Sequence, residues 1–133
     1  MTETHPNLTL IHHFFQAYAA QNLDEIKTIL SEDIQWHIPG KHPLSGTKRG
    51  IEEVLSYFAA LNKFAFGAEP IVMGVNDQYV IDCHKNESRI SNGQNFSGLS
   101  CLLWRIENNK IVEVHNFPQD QFKVDAFFSQ QYS

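Results

Sequence analysis

Cysteine is scarce in this chain of 133 residues, which has only Cys83 and Cys101. The two show neither C-x-x-C spacing nor the density of a disulfide scaffold. We therefore expect two reduced thiols in or near the core, because isolated cysteines of this kind are usually buried and unreactive.

The sequence also lacks long apolar runs and clustered positive charge. The apolar stretch 101–104 is far shorter than the roughly 20 residues that a membrane-spanning helix needs, and the polar residues 1–7 do not resemble a signal peptide. Ten Lys and Arg against fifteen Asp and Glu give a net charge of −5, and the basic residues are scattered, which argues against a nucleic-acid surface. We expect a cytoplasmic protein with no membrane and no nucleic acid as partner.

The composition is that of a folded domain. A length of 133 residues lies near the commonest domain size, and 42% hydrophobic residues suffice for a core, so we expect a single domain over residues 1–133. Ten Phe, four Tyr and two Trp make that core rich in aromatic rings. Such a core can line a pocket as well as fill one.

Apolar residues at helical spacing predict three helices in the first half of the chain. The first begins at an Asn7 cap and ends near Asn22. Asn22 and Glu25 form a capping box for the second helix, and the third covers 51–61. Asp120 can cap a short fourth helix near the end of the chain.

Strands predominate in the second half. Residues 34–38 alternate between apolar and polar and predict a strand, which is followed by an irregular loop over 39–50 with two Pro and three Gly. Turn residues then separate four further strands. The strands are 71–75, 79–89, 96–106 and 111–117, and the turns are Asn76-Asp77, Asn92-Gly93 and Asn108-Asn109.

This order of elements predicts an α+β domain in which helices cover one face of a curved antiparallel sheet. Such a sheet bends into a cone, and the mouth of the cone is a natural place for a small ligand. The central strand is apolar on both faces, so we also expect the second face to be covered, by a second copy in a homodimer.

Polar residues alternate along two of the strands. His37 and Gln35 lie opposite the apolar set Ile34, Trp36 and Ile38. On the long strand 79–89, Asp82, His84 and Asn86 share one face, while Ile81 and Cys83 lie on the other. The alternation alone does not say which face looks into the cone.

Four segments of the sequence are similar to segments of a known superfamily. They are FFQAYAAQNLD (14–24), LSEDIQWHIPGKHPLSG (30–46), RGIEEVLSYF (49–58) and NKIVEV (109–114). With them the chain resembles the nuclear transport factor 2-like superfamily over residues 8–128, and within it the SnoaL-like group related to polyketide cyclases and ketosteroid isomerases. The resemblance implies a cystatin-like cone with an internal cavity, commonly dimeric. Reactions in the superfamily include isomerisation, ring closure, epoxide hydrolysis and dehydration.

Comparison with the ketosteroid isomerases gives site residues. In those enzymes an Asp base works beside a Tyr and a protonated Asp that stabilise an oxyanion. A gap-free overlay puts His37 at the position of the base, Phe14 at that of the Tyr and Leu102 at that of the protonated Asp. The oxyanion donors are thus missing, and we do not expect steroid isomerase activity. An imidazole is nevertheless a suitable base at neutral pH.

The same overlay directs the polar row of the long strand into the cavity. We therefore expect His37 and His84 to face one volume, with His37 as general base and His84 as acid or orienting group; whether Asp82 reaches either ring stays open. A metal held by two His and a carboxylate fits no standard spacing, so we expect no metal and no cofactor. The predicted substrate-binding residues are Tyr18, Gln35, Asp82, Asn86, Trp104, Asn116, Phe14, Phe58 and Leu102.

Three functions remain open at this point. The first is an enzyme that uses general acid–base chemistry on a small, mostly apolar organic molecule. The second is a non-catalytic carrier or sensor of such a molecule, which the missing oxyanion donors favour. The third is a dimeric protein-interaction module that uses the other face of the sheet.

Overall fold

A computed structural model describes residues 5–91 and 93–132 of the chain. Four helices and one six-stranded sheet make up this part. The helices are α1 (Pro6–Ala19), α2 (Leu23–Ile29), α3 (Gly50–Asn62) and α4 (Gln121–Gln131), and the strands are β1 (Leu30–Ile38), β2 (Gly46–Arg49), β3 (Gly67–Val75), β4 (Tyr79–Glu87), β5 (Ser97–Glu107) and β6 (Lys110–Pro118). The predicted α+β class, with helices against a curved sheet, is confirmed.

Side-chain caps explain where three helices begin. The side-chain oxygen of Asn22 accepts a hydrogen bond from the Glu25 amide at the start of α2, and Asp120 accepts from the Lys123 amide at the start of α4, both as predicted. The predicted Asn7 cap of α1 is wrong. The helix begins two residues earlier than an Asn7 cap would place it, with His5 as the cap and its ring nitrogen accepting from the Asn7 amide.

The strand order is β2-β1-β6-β5-β4-β3. The three long strands β4, β5 and β6 pair antiparallel in chain order, and β3 extends this meander at the edge of the sheet. Strand β1 pairs parallel to β6, so the expectation of an antiparallel sheet is wrong for this pair. Strand β2 lies within the segment 39–50 that was predicted to be an irregular loop. It was missed because Gly-Thr-Lys-Arg has no apolar alternation, and it forms only by pairing with the end of β1.

The hairpin turns differ from one another. Asn108 and Asn109 both have positive φ, as the tight turn between β5 and β6 requires. The predicted tight turn at Asn92-Gly93 is not found, since β4 ends at Glu87 and β5 begins at Ser97; Asn92 itself lies outside the described residues. Asn95 instead organises this longer connection by bonding the backbone of Ile90 through both its oxygen and its nitrogen.

The main core lies between the inner face of the sheet and helices α1 and α3. Phe14 of α1 is at its centre, with its ring 4.9 Å from that of Trp104 and 5.8 Å from that of Phe58. A second cluster of Phe96, Phe127 and Phe128 packs α4 against the end of the sheet. Large aromatic rings from the helices and from the strands fill the space between these two layers, and their contacts fix the distance of the helices from the sheet.

The outer face of the sheet is partly apolar. Cys83 and Cys101 lie opposite each other there, half-buried, so the prediction that both thiols lie in or near the core is wrong. Large exposed residues surround them, namely Val72, Ile81, Leu99 and Phe117. None of the helices in the described ranges has the length and hydropathy needed to cross a bilayer.

Candidate functional site

A cavity lies between the inner face of the sheet and helices α1, α3 and α4. Its volume is about 100 Å³. On the same scale, one water molecule needs roughly 10–15 Å³. Aromatic and aliphatic side chains make up most of its wall, and a few polar groups interrupt them. The lining residues include Phe14, Tyr18, Tyr57, Phe58, His42, His84, Asn86, Ser100, Leu102, Asn116 and Phe128.

A buried pair of Asp82 and His84 forms the polar centre of this wall. The Oδ2 atom of Asp82 lies 2.6 Å from Nδ1 of His84, and Asp82 Oδ1 accepts a hydrogen bond from the indole N–H of Trp104 at 2.5 Å. Relative exposures of 1% for Asp82, 4% for His84 and 0% for Trp104 exclude bulk water from the group. Because Asp82 holds Nδ1, Nε2 is the ring nitrogen left for a ligand.

Local geometry explains this arrangement. Asp82 and His84 are two residues apart on β4, so both side chains point to the same face of the sheet. Trp104 is on the neighbouring strand β5, where it pairs with Val80, and its indole reaches diagonally to Asp82. The Phe15 ring packs edge-on against the His84 ring, with centroids 5.9 Å apart, and limits its rotation.

Two further polar atoms of the wall are buried without a hydrogen-bond partner in the described part of the chain, His42 Nε2 and Asn116 Oδ1. Nδ1 of His42 accepts from the Leu44 amide, so the neutral ring carries its proton on Nε2. Burial lowers the pKa of His42, which favours this neutral form. The wall thus offers one unpaired donor and one unpaired acceptor.

Two tyrosines, Tyr18 and Tyr57, also line the cavity. Burial raises the pKa of Tyr18 to about 12, and the pKa of Tyr57 is raised further by the same cause. Both hydroxyls therefore remain protonated at neutral pH and can donate to a ligand. The Asn86 amide already donates to Ser100 Oγ at 3.2 Å, which fixes its orientation in the wall.

Most of the predicted site residues lie together. The predicted inward direction of Asp82, His84 and Asn86 agrees with the structure, and the question of Asp82 is answered, since it bonds the ring of His84 and not that of His37. Asp82 and Trp104 lie behind the wall and support His84. The predicted residues that line the cavity are Phe14, Tyr18, Phe58, His84, Asn86, Leu102 and Asn116.

The prediction that His37 faces the cavity is wrong, and so is that for Gln35 on the same face. Trp36 and its apolar neighbours on β1 fill the inward positions, with Trp36 itself 4% exposed. Burying a large apolar side chain gains about 1.5–3 kcal/mol, so the apolar set occupies the core and the imidazole is directed outward. The gap-free overlay assigned His37 to the wrong face of β1.

On the outer face His37 has its own partners. Its Nδ1 lies 2.8 Å from Thr47 Oγ1 on β2, and its Nε2 lies 2.7 Å from Glu113 Oε2 on β6. The hydrogen bond with His37 is the main cause that lowers the pKa of Glu113. His37 and the cavity are therefore on opposite sides of the sheet.

Sequence reasoning did not assign His42 or Ser100 to the cavity. His42 lies in the irregular segment before β2, where no periodicity tells the direction of a side chain. Its ring is placed by packing on Phe128 of α4, at a centroid distance of 4.9 Å. Ser100 shares the inward face of β5 with Leu102 and could have been found by extending the alternation two residues.

Comparison with known proteins gives consistent results. A family model described as SnoaL-like domain matches residues 11–114. An uncharacterized protein of Mycobacterium tuberculosis is 23% identical over 128 residues, covering 92% of this chain and 96% of that protein. Among solved structures, an NTF2-like protein of unknown function from Burkholderia pseudomallei has a TM-score of 0.84 at 18% identity, covering 95% of this chain and 99% of that one. TerC, co-crystallised with polyporic acid, has a TM-score of 0.82 at 16% identity, covering 95% and 99%.

Proposed function

Since this chain belongs to the SnoaL-like domain family, we propose that it binds a small, mostly apolar organic molecule in its cavity and converts it by general acid–base chemistry. The observation that carries the proposal is the buried Asp82–His84 pair in the wall of an aromatic-lined cavity. In this reaction His84 is the catalytic residue, and Asp82 is a positioning residue that acts through it.

The chemistry follows from the tautomer of His84. With the Nδ1 proton held by Asp82, Nε2 carries a lone pair that can remove a proton from carbon or water. The imidazolium that forms is stabilised by the adjacent carboxylate and can return the proton to another atom of the same substrate. The Trp104 indole fixes the far oxygen of Asp82, so the carboxylate does not rotate away.

The class of ligand follows from the unpaired groups of the wall. After a small side-chain rotation that brings each atom to the cavity surface, His42 Nε2 would donate to a carbonyl or hydroxyl oxygen, and Asn116 Oδ1 would accept from a hydroxyl or N–H group. Phe14 and Phe58, packed edge to face with their centroids 5.8 Å apart, form an aromatic wall that suits a flat, apolar ring lying against it. A ring compound with at least one oxygen acceptor and one hydroxyl donor therefore fits best. The polyporic acid in the TerC crystals is in keeping with an organic ligand in this fold.

Ketosteroid isomerase activity is not part of the proposal. Phe14 and Leu102, the positions of the oxyanion donors in the resemblance, both line the cavity and offer no donor. The same fact favours the second candidate, a carrier or sensor that binds the ligand and releases it unchanged.

One experiment separates the two candidates. The protein and the His84→Gln variant are incubated with a cellular metabolite extract, and bound and free compounds are compared by mass spectrometry. An enzyme changes at least one compound, and His84→Gln still retains the ligand but loses the change. The control is His13→Gln, which removes an exposed imidazole paired with Glu25 on the helix surface.

The outcomes are distinct. A compound that is retained but never altered identifies a carrier. Conversion at the wild-type rate by His84→Gln excludes His84 as the catalytic residue.

The outer face of the sheet supports a homodimer as a further proposal. Val72, Ile81 and Phe117 are 62%, 49% and 55% exposed there, and a second copy would cover them. Light scattering at tens of micromolar protein should give twice the chain mass, and a monomer at that concentration would contradict the dimer. A cytoplasmic location remains a prediction that cell fractionation tests.

A further inference from the structure

A second polar constellation lies on the outer face of the sheet, outside the cavity. It consists of His37 on β1 with Glu113 and His115 on β6, hereafter the outer triad. One ligand atom from each residue lies within 4.8 Å of the other two. Glu113 Oε2 is 2.7 Å from His37 Nε2 and 3.6 Å from His115 Nε2, and the two imidazole rings stack at a centroid distance of 4.4 Å.

The sheet topology creates this triad. In the parallel pairing of β1 with β6, His37 lies directly beside His115, and Glu113 is two residues earlier on the same face of β6. No sequence motif brings the three together, because His37 and Glu113 are 76 positions apart.

We propose that the outer triad binds a divalent transition-metal ion, with zinc as the best match. Two imidazole nitrogens and one carboxylate oxygen are ligands that zinc prefers. In a tetrahedral zinc site with metal–ligand distances of about 2.0–2.2 Å, two ligand atoms lie about 3.3–3.6 Å apart. Glu113 Oε2 and His115 Nε2 already have this separation, at 3.6 Å, and rotation of the stacked imidazole side chains would bring the remaining distances into this range.

The supporting contacts of a metal site are already in place. Histidines that bind metals usually donate their other ring N–H to a fixed acceptor, and His37 Nδ1 lies 2.8 Å from Thr47 Oγ1. Arg105 Nε bonds Glu113 Oε1 at 3.3 Å, which leaves Oε2 turned toward the imidazoles. A cation would take the place of the proton that His37 and Glu113 now share.

The ion is accessible and its role is structural. The side chains of His37, Glu113 and His115 are 27%, 24% and 42% exposed, so an ion can enter and water can complete its coordination. The bound ion would join β1 to β6, the parallel pair that holds the first strand in the sheet. This site is independent of the cavity and of any reaction at His84.

Zinc titration of chelator-treated protein tests the proposal. Isothermal calorimetry should give one zinc ion per chain, and cobalt should produce visible absorption bands when it replaces zinc. His115→Gln and Glu113→Gln should each weaken binding at least tenfold. Thr47→Val, which removes the support of His37 but no ligand, should weaken it about tenfold.

The matched control is His13→Gln, which removes another exposed histidine paired with a glutamate at 2.8 Å. It should bind zinc like the wild type. Melting temperatures without metal show whether each variant is folded, and at equal zinc concentration zinc should raise the melting temperature of the wild type and of His13→Gln more than that of the other variants.

Three results would overturn the proposal: no stoichiometric zinc binding, equal affinity in His115→Gln and the wild type, or half an ion per chain together with dimer formation. The last result would mean that the ion is held between two copies. Loss of zinc binding leaves the cavity proposal untouched, since that proposal is tested by turnover in His84→Gln.

Discussion

Replacing Asp82 is the sharpest test of the cavity wall, because two substitutions separate its hydrogen-bonding role from its charge. Asp82 accepts from Trp104 at 2.5 Å and bonds His84 at 2.6 Å in a region that excludes bulk water. In Asp82→Asn the amide oxygen can still accept from Trp104, and the amide nitrogen can donate to His84 Nδ1. In Asp82→Leu neither bond can form.

The stability changes follow from these contacts. Asp82→Asn exchanges charge-assisted hydrogen bonds for neutral ones, a loss of about 1–2 kcal/mol in the free energy of unfolding. Asp82→Leu leaves the Trp104 N–H and His84 Nδ1 buried and unpaired, at about 1–3 kcal/mol each, or about 2–6 kcal/mol together. A domain of this size has about 5–15 kcal/mol of total stability, so Asp82→Leu should be clearly less stable than Asp82→Asn.

The tautomer gives a second, independent result. An amide donor at position 82 requires a lone pair on His84 Nδ1, so the ring proton moves to Nε2 and the base is lost. In a serine protease the comparable Asp-to-Asn change lowers turnover about 10⁴-fold. Asp82→Asn should thus be folded and inactive, while a carrier function would survive in it.

Urea unfolding followed by tryptophan fluorescence measures the stability, and imidazole ¹⁵N shifts of His84 report the tautomer. The reasoning would be refuted by equal stability of the two variants, or by a His84 proton that stays on Nδ1 in Asp82→Asn.

Three other expectations concern the frame around the site. Phe14→Ala should lower the free energy of unfolding by about 3–5 kcal/mol, because this ring is 3% exposed at the centre of the core; a loss below 1 kcal/mol in urea unfolding would contradict that position. Gly40→Ala should destabilise more than Gly46→Ala in thermal unfolding. Both glycines have positive φ, but a Cβ at position 40 would displace the side chains of Gln121 and Asp125 and break their hydrogen bonds to each other and to the Lys41 amide, whereas nothing lies within 4 Å at position 46. Equal losses would show that only the backbone strain matters. The folded pKa of His42 is lowered by burial, so the unfolded chain binds the proton more readily and stability present above about pH 6.5 is lost as the pH falls through the folded pKa. His42→Asn, which keeps an acceptor for the Leu44 amide, should lose less stability between pH 7 and pH 5, and identical pH profiles would exclude this contribution.

The sequence by itself determined most of the elements and the family. Helical spacing, caps and turn residues located the helices, the strand 34–38 and the meander, because these signals depend on neighbours within a few residues. The resemblance to the SnoaL-like group, carried by four segments, is confirmed by the family match over 11–114. Alternation along β4 correctly grouped Asp82 with His84, since residues two apart in a strand must share a face.

Only the tertiary structure decided which face of β1 is buried and which strands are neighbours. The alternation along β1 is compatible with either His37 or Trp36 facing the core. Which of the two faces is buried depends on the total apolar area that the rest of the core can cover. The parallel pairing of β1 with β6, which brings His37 to Glu113 and His115, joins segments about 76 residues apart. Such long-range contacts are stabilised by packing summed over the whole sheet, and no local signal in the sequence records them.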